Sequence, residues 1–391
     1  METTIGIVKC SDYEPEDVEK SVRMCFELLD GAAKVIKPGM KVLLKPNLLV
    51  GSPPERAINT HPEIVRAVIR WLKDKGAKAV VGDNPAFTRL QPTMKKAGIL
   101  DVINEEETDI ANFSETFYLY NKNGKHFQRF EISKAFDEAD AIINLPKFKT
   151  HGITYITGAL KNLFGAIPGL EKSKWHLRAQ SKDEFASLLV DLYGAFVVGF
   201  TPPKPILHLM DAVLCQEGEG PGTGGTPRKI GALMIGTDAA AMDVVAARLA
   251  GLDTAKVKTS IFAQQCALGT ADFSRIHIVG DRLEEFQVKK FKPSRSSFTS
   301  NMMKWPLTTP FVRNQIVERP YITKEKCSKC LSCVKICQSG AVFQRDKDDR
   351  VPVFDYDRCI RCYCCQEVCP EAAIELRHSR LGRLFNLFSA S

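Results

Sequence analysis

No stretch of the 391 residues approaches 18 uninterrupted apolar positions, the run a helix needs to cross a bilayer. The most apolar segment, Leu188 to Phe200, is broken by Asp191. The opening METTIGIVKCSDYE has neither a basic start nor a long apolar stretch, so it does not read as a secretory signal. Dense Lys/Arg runs interleaved with aromatics are missing too. The modest net charge of +8 therefore points to local anion sites rather than to a nucleic-acid groove. No flavin or nicotinamide fingerprint is present, and the run GEGPGTGG lacks the Lys-Ser/Thr ending of a P-loop. What remains is an ordinary globular composition, 44% hydrophobic and 26% charged, in a chain long enough for a large core and a second module.

Cysteine breaks this plainness. Cys10, Cys25, Cys215 and Cys266 are scattered without paired spacing, but Cys327, Cys330, Cys333 and Cys337 form C-x2-C-x2-C-x3-C. Cys359, Cys362, Cys365 and Cys369 repeat that pattern 32 positions later. KCSKCLSCVKICQSGAV aligns with RCIRCYCCQEVCPEAAI, so the segment is an internal duplication. Three thiolates on one tight loop take three corners of an iron-sulfur cube and a distant fourth closes it, which predicts two 4Fe-4S clusters. Structural zinc uses two C-x2-C pairs and leaves the third and fourth cysteines of each run unexplained. Disulfides do not suit a reducing compartment, and a cytoplasmic location is expected.

Residues 321 to 378 resemble a bacterial-type two-cluster 4Fe-4S ferredoxin domain. The resemblance implies crossed ligation, with Cys327, Cys330, Cys333 and Cys369 on one cluster and Cys359, Cys362, Cys365 and Cys337 on the other. Gln338 stands where a proline usually follows the fourth cysteine, whereas Pro370 keeps it in the second run. Cys364 aligns with Ser332 and is expected to be a small buried filler rather than a ligand.

Ahead of this module, apolar periodicity predicts a βαβαβ opening: strands at 4–9, 41–45 and 78–82, with helices to about Leu29 and over Ile64 to Lys75. Capping boxes are expected at Ser11/Glu14 and Thr60/Glu63. Alternation on either side of Asn123-Gly124 predicts a hairpin at the sheet edge. There follow a strand at 140–146, a loop KFKTHGIT, a helix from about Tyr155 to Phe164, and a helix over Lys182 to Val197. Strands at 205–210 and 229–236, helices over 238–249 and 257–266 and a short strand IHIVG complete this part. The fold class is α/β, a mostly parallel sheet with helices on both faces, joined to a small α+β two-cluster domain. Its boundaries are 1–290 for the α/β domain, 291–320 for a linker, 321–378 for the cluster domain and 379–391 for a basic amphipathic tail. That tail, with Leu381, Leu384, Phe385 and Phe388 on one helical face, is expected to pack back on its own protein, a membrane surface or a partner being the alternative.

Ligands of open α/β sheets bind beyond the carboxyl ends of the strands. The residues directly after the strands are Lys45-Pro46-Asn47, Asp83-Asn84, Lys147 to His151, Asp211 and the glycine-rich loop Glu217 to Gly225, with Lys161 and Asn162 on the following helix. They are expected to converge on one rim. Lys45, Asn47, Lys149, Lys161 and Gly222 would bind a small anion, and His151, Lys147 and Asp211 would act on it, with His151 as proton donor. The glycine-rich loop would serve as a lid.

The stretches KPNLL, THPEIV, GDNPAF, LPKFKTHGITYITGALKNLFG and DAVLCQEGEGPGTGG resemble, in order, the family known as domain of unknown function 362, over about residues 5 to 285. That family is often fused to a ferredoxin domain, and its name implies no reaction. The expected function is an iron-sulfur oxidoreductase that takes electrons from an external donor to a small anionic substrate or cofactor. The alternatives are a non-catalytic electron carrier or a metallocluster-assembly factor docking a redox partner.

Overall fold

The computed structural model describes residues 2–85, 88–169, 171–179, 181–286, 288, 290–294, 314–315, 317–345 and 351–379. The basic tail from residue 380 onward and most of the expected linker lie outside the described residues.

Strand and helix alternate from the start: β1 (Thr3–Lys9), α1 (Pro15–Leu28), α2 (Asp30–Ala33), β2 (Lys41–Pro46), α3 (Pro62–Asp74), β3 (Lys78–Val81), α4 (Leu90–Lys96), α5 (Ile99–Glu105) and β4 (Asp109–Ile110). Next come β5 (Thr116–Tyr120), β6 (Arg129–Ser133), α6 (Ala135–Glu138), β7 (Ala141–Leu145), β8 (Lys147–His151), β9 (Tyr155–Thr157), α7 (Ala159–Asn162), α8 (Glu171–Arg178) and α9 (Lys182–Val198). β10 (Ile206–Gly218), β11 (Gly225–Gly236), α10 (Ala239–Leu249), α11 (Lys258–Gln265) and β12 (Ile276–Gly280) close this part. One sheet runs β12-β1-β11-β10-β7-β2-β3-β4, with β8 paired to β10 and β9 to β8. β2, β3, β4, β7 and the start of β10 are parallel, and β11 is antiparallel to both its neighbours.

Helix-covered parallel strands are apolar on both faces, and each face here has its own core. Val42, Leu44, Ile64 and Val68 pack on one side, under α1 and α3. Ile7, Phe148, Met234 and Val245 pack on the other, under α9 and α10. In α3 the buried Ile64, Val65, Val68, Ile69 and Leu72 lie at helical spacing, each contributing about 1.5–3 kcal/mol by leaving water.

Local chemistry departs from the sequence reading at five places. The segment read as the loop KFKTHGIT contains a strand, β8, buried along its whole length. Tyr155 to Thr157 form β9 rather than the start of a helix; Tyr155 has φ 70°, which ends the turn from β8, and α7 begins only after Gly158. α1 is capped at Glu14 without a side-chain bond, so no Ser11/Glu14 box forms. His61 replaces Thr60 as the cap of α3, accepting from the Glu63 N–H through Nδ1 at 3.3 Å. Thr60 is committed elsewhere: its hydroxyl accepts from Asn47 N at 2.8 Å and donates to Leu145 O at 2.7 Å.

The fifth departure is the hairpin of β5 and β6, which forms a separate two-stranded sheet rather than an edge of the main one. It packs on α9, and there Asp191, the one charge in the apolar run Leu188 to Phe200, finds its use. Its carboxylate accepts from the backbone N–H groups of Lys125, His126 and Phe127 at 2.8, 2.9 and 2.9 Å, and so ties the hairpin turn to the core.

The C-terminal module consists of β13 (Arg319–Ile322), α12 (Ser332–Ile336), β14 (Val342–Phe343), β15 (Val353–Phe354), α13 (Cys364–Glu367) and β16 (Ile374–Arg377). β13 pairs with β16 and β14 with β15, around a core of Ile322, Ile336, Val342, Val368, Ile374 and cysteines. The glycine-rich turn between β10 and β11 grips this module. Thr223 Oγ1 donates to Cys369 O at 2.7 Å, and a Cβ on Gly222 (φ 100°) would lie 2.7 Å from Glu367 O. The expected lid is therefore a clamp, and Gly222 is glycine because two backbones meet there.

Replacing Asp191 by Ala strands three backbone donors and should cost about 3 kcal/mol. Urea unfolding would register it, with hydrogen exchange at residues 125–127 rising first; a loss well under about 1 kcal/mol would show that the carboxylate does not hold the hairpin.

Candidate functional site

β2 and β3 end side by side, and their last residues form the floor of a cleft. The buried Lys45 ammonium pairs with Asp83 at 2.8 Å and donates to Pro46 O at 3.0 Å. The other Asp83 oxygen accepts from Leu48 N at 2.8 Å. Burial pulls the Lys45 pKa down and the Asp83 charge opposes that fall. Gly165 lies directly over the pair, since a Cβ there would sit 2.2 Å from Asp83 Oδ1.

α7 spans only one turn and is held from outside. Asp243 of α10 accepts from Ala159 N at 2.6 Å and Leu160 N at 3.3 Å, an approach that Gly158 alone permits, because a Cβ would fall 2.0 Å from the carboxylate. This anchors Lys161 and Asn162 on the cleft wall. Asn162 Nδ2 donates to Asn144 Oδ1 at 2.8 Å, while its buried Oδ1 has no partner among the described residues. The Lys161 ammonium has no hydrogen-bond or ion-pair partner among the described residues, and burial lowers its pKa. From α8, Lys172 donates to Asn84 O, its pKa brought down to about 7 by burial. His176 stacks on Phe185 at 4.4 Å and is kept neutral, its pKa pushed down to about 3 by burial.

The opposite wall comes from the C-terminal module: Ile336, Cys364, Glu367 and Val368 complete the lining. The cleft encloses about 670 Å³, counting the open solvent at its mouth. His151 joins the walls. Its Nδ1 accepts from Ile153 N at 2.9 Å and Thr154 N at 3.3 Å, so the ring proton sits on Nε2, 3.4 Å from Glu367 Oε1. Burial, with Lys161 nearby, holds this imidazole neutral, and burial raises the Glu367 pKa against the pull of Lys161 and Lys149. Cationic groups thus face a partly apolar wall, a combination suited to a small anion with an apolar part.

Beyond that wall the cysteines gather as crossed sets. A cavity of about 330 Å³, counting the open solvent at its mouth, is lined by Cys327, Cys330, Cys333 and Cys369 together with Ile322 and Ile374. The Cys333 thiol is pushed up to about 12 by burial and by Cys369, Cys330 and Cys327 around it. The Cys365 thiol is pushed well up by burial and by Cys362, Cys359, Cys333 and Cys337. Non-glycine residues take left-handed φ at matching places in the two runs, 59° at Lys329 and 60° at Leu331, then 61° at Arg361 and 58° at Tyr363. Such angles wrap each loop about its own centre, at a conformational cost of about 1–2 kcal/mol per residue. Among the described residues no three His, Cys, Asp or Glu side chains converge on a single ion. Four thiols spread around a cavity suit a cube, so the residues present fit a 4Fe-4S group. Cys364 is buried and lies on the cleft side.

The expected rim divides in the structure. Lys45, Asn47, Asp83, Asn84, His151, Lys161 and Asn162 meet in the cleft; Lys147, Asp211, Lys149 and Gly222 do not line it. Lys147 and Asp211 close on each other at 2.8 Å, with Tyr13 OH accepting from Lys147 at 2.7 Å and donating to Asp211 at 2.8 Å. Tyr13 stacks over His61 at 3.5 Å and completes the seal. Lys149 spends its ammonium on Asn47 Oδ1 and Ile58 O, both at 2.6 Å, and so orients Asn47 from behind. Lys172, His176 and Glu367 escaped the sequence reading. Lys172 and His176 are four apart in KSKWH, one helical face, but no strand end marks them, and Glu367 lay hidden inside a cysteine run.

The family described as domain of unknown function (DUF362) matches residues 42–248, and the 4Fe-4S dicluster domain matches residues 319–370. A thylakoid-associated protein of Synechocystis sp. is 33% identical over 269 residues, covering 68% of this chain and 81% of that protein. A crystal structure of a protein from Thermotoga maritima aligns with a TM-score of 0.37 at 14% identity, over 66% of this chain and 60% of that one. The lactate racemase apoprotein from Thermoanaerobacterium thermosaccharolyticum aligns with a TM-score of 0.38 at 12% identity, over 64% and 56%. This chain thus spans less than two thirds of either solved structure.

Asp243, which anchors α7, has its pKa raised to about 7 by burial. A carboxyl whose folded pKa exceeds its unfolded one stabilises fully below the unfolded pKa, and that contribution is lost as pH climbs through the folded pKa. Asp243→Asn keeps an acceptor for Ala159 N–H and cannot ionise. Relative to the wild type it should gain on the order of 2 kcal/mol between pH 5 and pH 8; parallel urea-unfolding midpoints for the two proteins at both pH values would contradict this.

Proposed function

This chain belongs to the DUF362 family and carries a 4Fe-4S dicluster domain behind it, and from that premise we propose an iron-sulfur oxidoreductase whose small anionic substrate sits in the cleft between the two parts. One observation carries the reading: Lys45, Lys161 and Lys172 form one wall of the cleft, and Cys364 and Glu367, neighbours of Cys362 and Cys365, form the other. We assign two clusters, one to Cys327, Cys330, Cys333 and Cys369 and one to Cys359, Cys362, Cys365 and Cys337. When bound, such clusters supply electrons one at a time.

The chain's own residues do the rest. Lys161 holds the anionic end of the substrate, since its ammonium has no hydrogen-bond or ion-pair partner among the described residues, and Asn162 Oδ1 accepts from a donor on the same molecule. Lys172, with its pKa near 7, is matched to give a proton at neutral pH. His151 remains neutral and donates a hydrogen bond through Nε2, so we move the proton-donor role from His151 to Lys172. A turnover adds two electrons and two protons to an unsaturated group, and two molecules of a one-electron donor are oxidised. None of the thirteen cysteines is in a disulfide, which suits a reducing compartment, and we place the protein in the cytoplasm. No helix of the described residues is long and apolar enough to cross a membrane, and the thylakoid association of the relative is a property of that protein.

Anaerobically purified protein should hold about eight iron and about eight sulfide atoms per chain, and Cys362→Ala about half of that. Lys161→Met should keep the full iron content while its affinity for inorganic phosphate, used as a small-anion probe, falls about tenfold or more. Iron near zero in the wild type sinks the cluster assignment. Unchanged phosphate affinity in Lys161→Met sinks the substrate site and leaves an electron carrier that docks a partner.

A further inference from the structure

The two cysteine sets are not equivalent, and the difference gives the module a direction. In the first set Cys333 and Cys369 are buried and Cys327 is half-buried, but Cys330 is exposed, and the cavity among them is bounded by the loop Ser328 to Ser332. In the second set Cys359 and Cys365 are buried, Cys337 and Cys362 are half-buried and none is exposed, and Cys364 and Glu367, on the helix that carries Cys365, face the cleft. The first set is the outer one, open to a visiting protein, and the second is the inner one, against the substrate wall.

Charge follows the same division. Between Arg319 and Cys337 there are five basic residues and one acidic one, Glu325. Between Tyr356 and Pro370 the signs balance, with Asp357 and Glu367 against Arg358 and Arg361, and Arg361 is buried with its guanidinium on Cys359 O at 3.2 Å. In the first run Lys326 is bound to Glu375 at 3.2 Å. Lys324, Lys329 and Lys335 are exposed and have no ion-pair partner among the described residues. Lys329 adjoins Cys330, Lys324 lies on the short turn leading to Cys327, and Lys335 lies on α12 behind Cys333.

We propose that Lys324, Lys329 and Lys335 form the docking surface for an acidic one-electron carrier protein, which delivers its electrons beside Cys330. This rests on the oxidoreductase reading above and adds where electrons enter and what kind of partner brings them. Unpaired ammonium groups around an exposed redox port steer a negatively charged partner and do little for stability. Each encounter oxidises one reduced carrier by one electron, and two encounters serve one substrate.

The test uses the full-length, anaerobically purified protein and follows bleaching of its visible absorption after mixing with either of two reductants: a reduced acidic plant-type 2Fe-2S ferredoxin, or the small methyl viologen radical cation. The triple variant Lys324→Glu/Lys329→Glu/Lys335→Glu should keep its iron content. With ferredoxin its reduction should slow by about tenfold to a hundredfold, and it should lose the steep fall with salt shown by the wild type. Its reaction with the viologen cation should be unchanged or faster. If three glutamates disturb the loop, the triple glutamine variant carries the same test with a smaller loss. A ferredoxin rate that ignores these substitutions while iron and the viologen reaction stay intact overturns the docking surface alone. A wild type that neither reductant bleaches overturns the oxidoreductase reading as well.

Discussion

Three ammonium groups, those of Lys45 near the end of β2 and of Lys147 and Lys149 in β8, are carried inside the protein, and the surrounding loops are arranged around the need to satisfy them. A buried charge left without a partner costs several kcal/mol, so each lysine fixes what it meets. Lys45 fixes Asp83 and through it the backbone at Leu48. Lys147 fixes Asp211 and Tyr13, joining the segment after β1 to β10. Lys149 fixes Asn47 and Ile58. These bonds turn the loops after β2 and β3 into a rigid floor for the cleft.

The same physics separates scaffold from site. Lys147 and Lys149 each give two hydrogen bonds to protein oxygen and belong to the framework, although they follow a strand as a ligand-binding residue would. Lys161 reaches the cleft wall with neither carboxylate nor carbonyl in bonding distance among the described residues. Beside it, Asn162 holds an unpartnered buried oxygen. An unmet cation next to an unmet acceptor is a stability defect in an empty cleft and a recognition pattern in a filled one.

The sequence showed most clearly what depends on short-range covalent spacing. Cysteine runs betray a cluster module because three ligands must come from one tight loop, and the left-handed residues at Lys329, Leu331, Arg361 and Tyr363 repeat with the same offset as the cysteines. The alternation of strand and helix was legible because apolar residues mark two covered faces. β8 was misread because K-F-K-T-H carries three cationic or ionisable side chains, and burial of lysine is rare enough that such a segment reads as a loop. Glu367, Lys172 and His176 were out of reach for another reason: the cleft they line from opposite sides closes only when the C-terminal module docks on the sheet, and no local pattern encodes that docking.

Docking, in turn, is where the glycine-rich turn acts. Gly222 meets the backbone of Glu367 and Thr223 bonds Cys369 O, so the turn touches the second cysteine run on both sides of Val368, a cleft-lining residue. Arg56 holds the same turn through Thr223 O at 3.0 Å, and Gln216 holds it through Gly222 O at 2.8 Å. A turn gripped from the sheet and gripping the module cannot swing open like a lid without releasing that module. The distance from the second cysteine run to the substrate wall is therefore set by the fold rather than by a moving part.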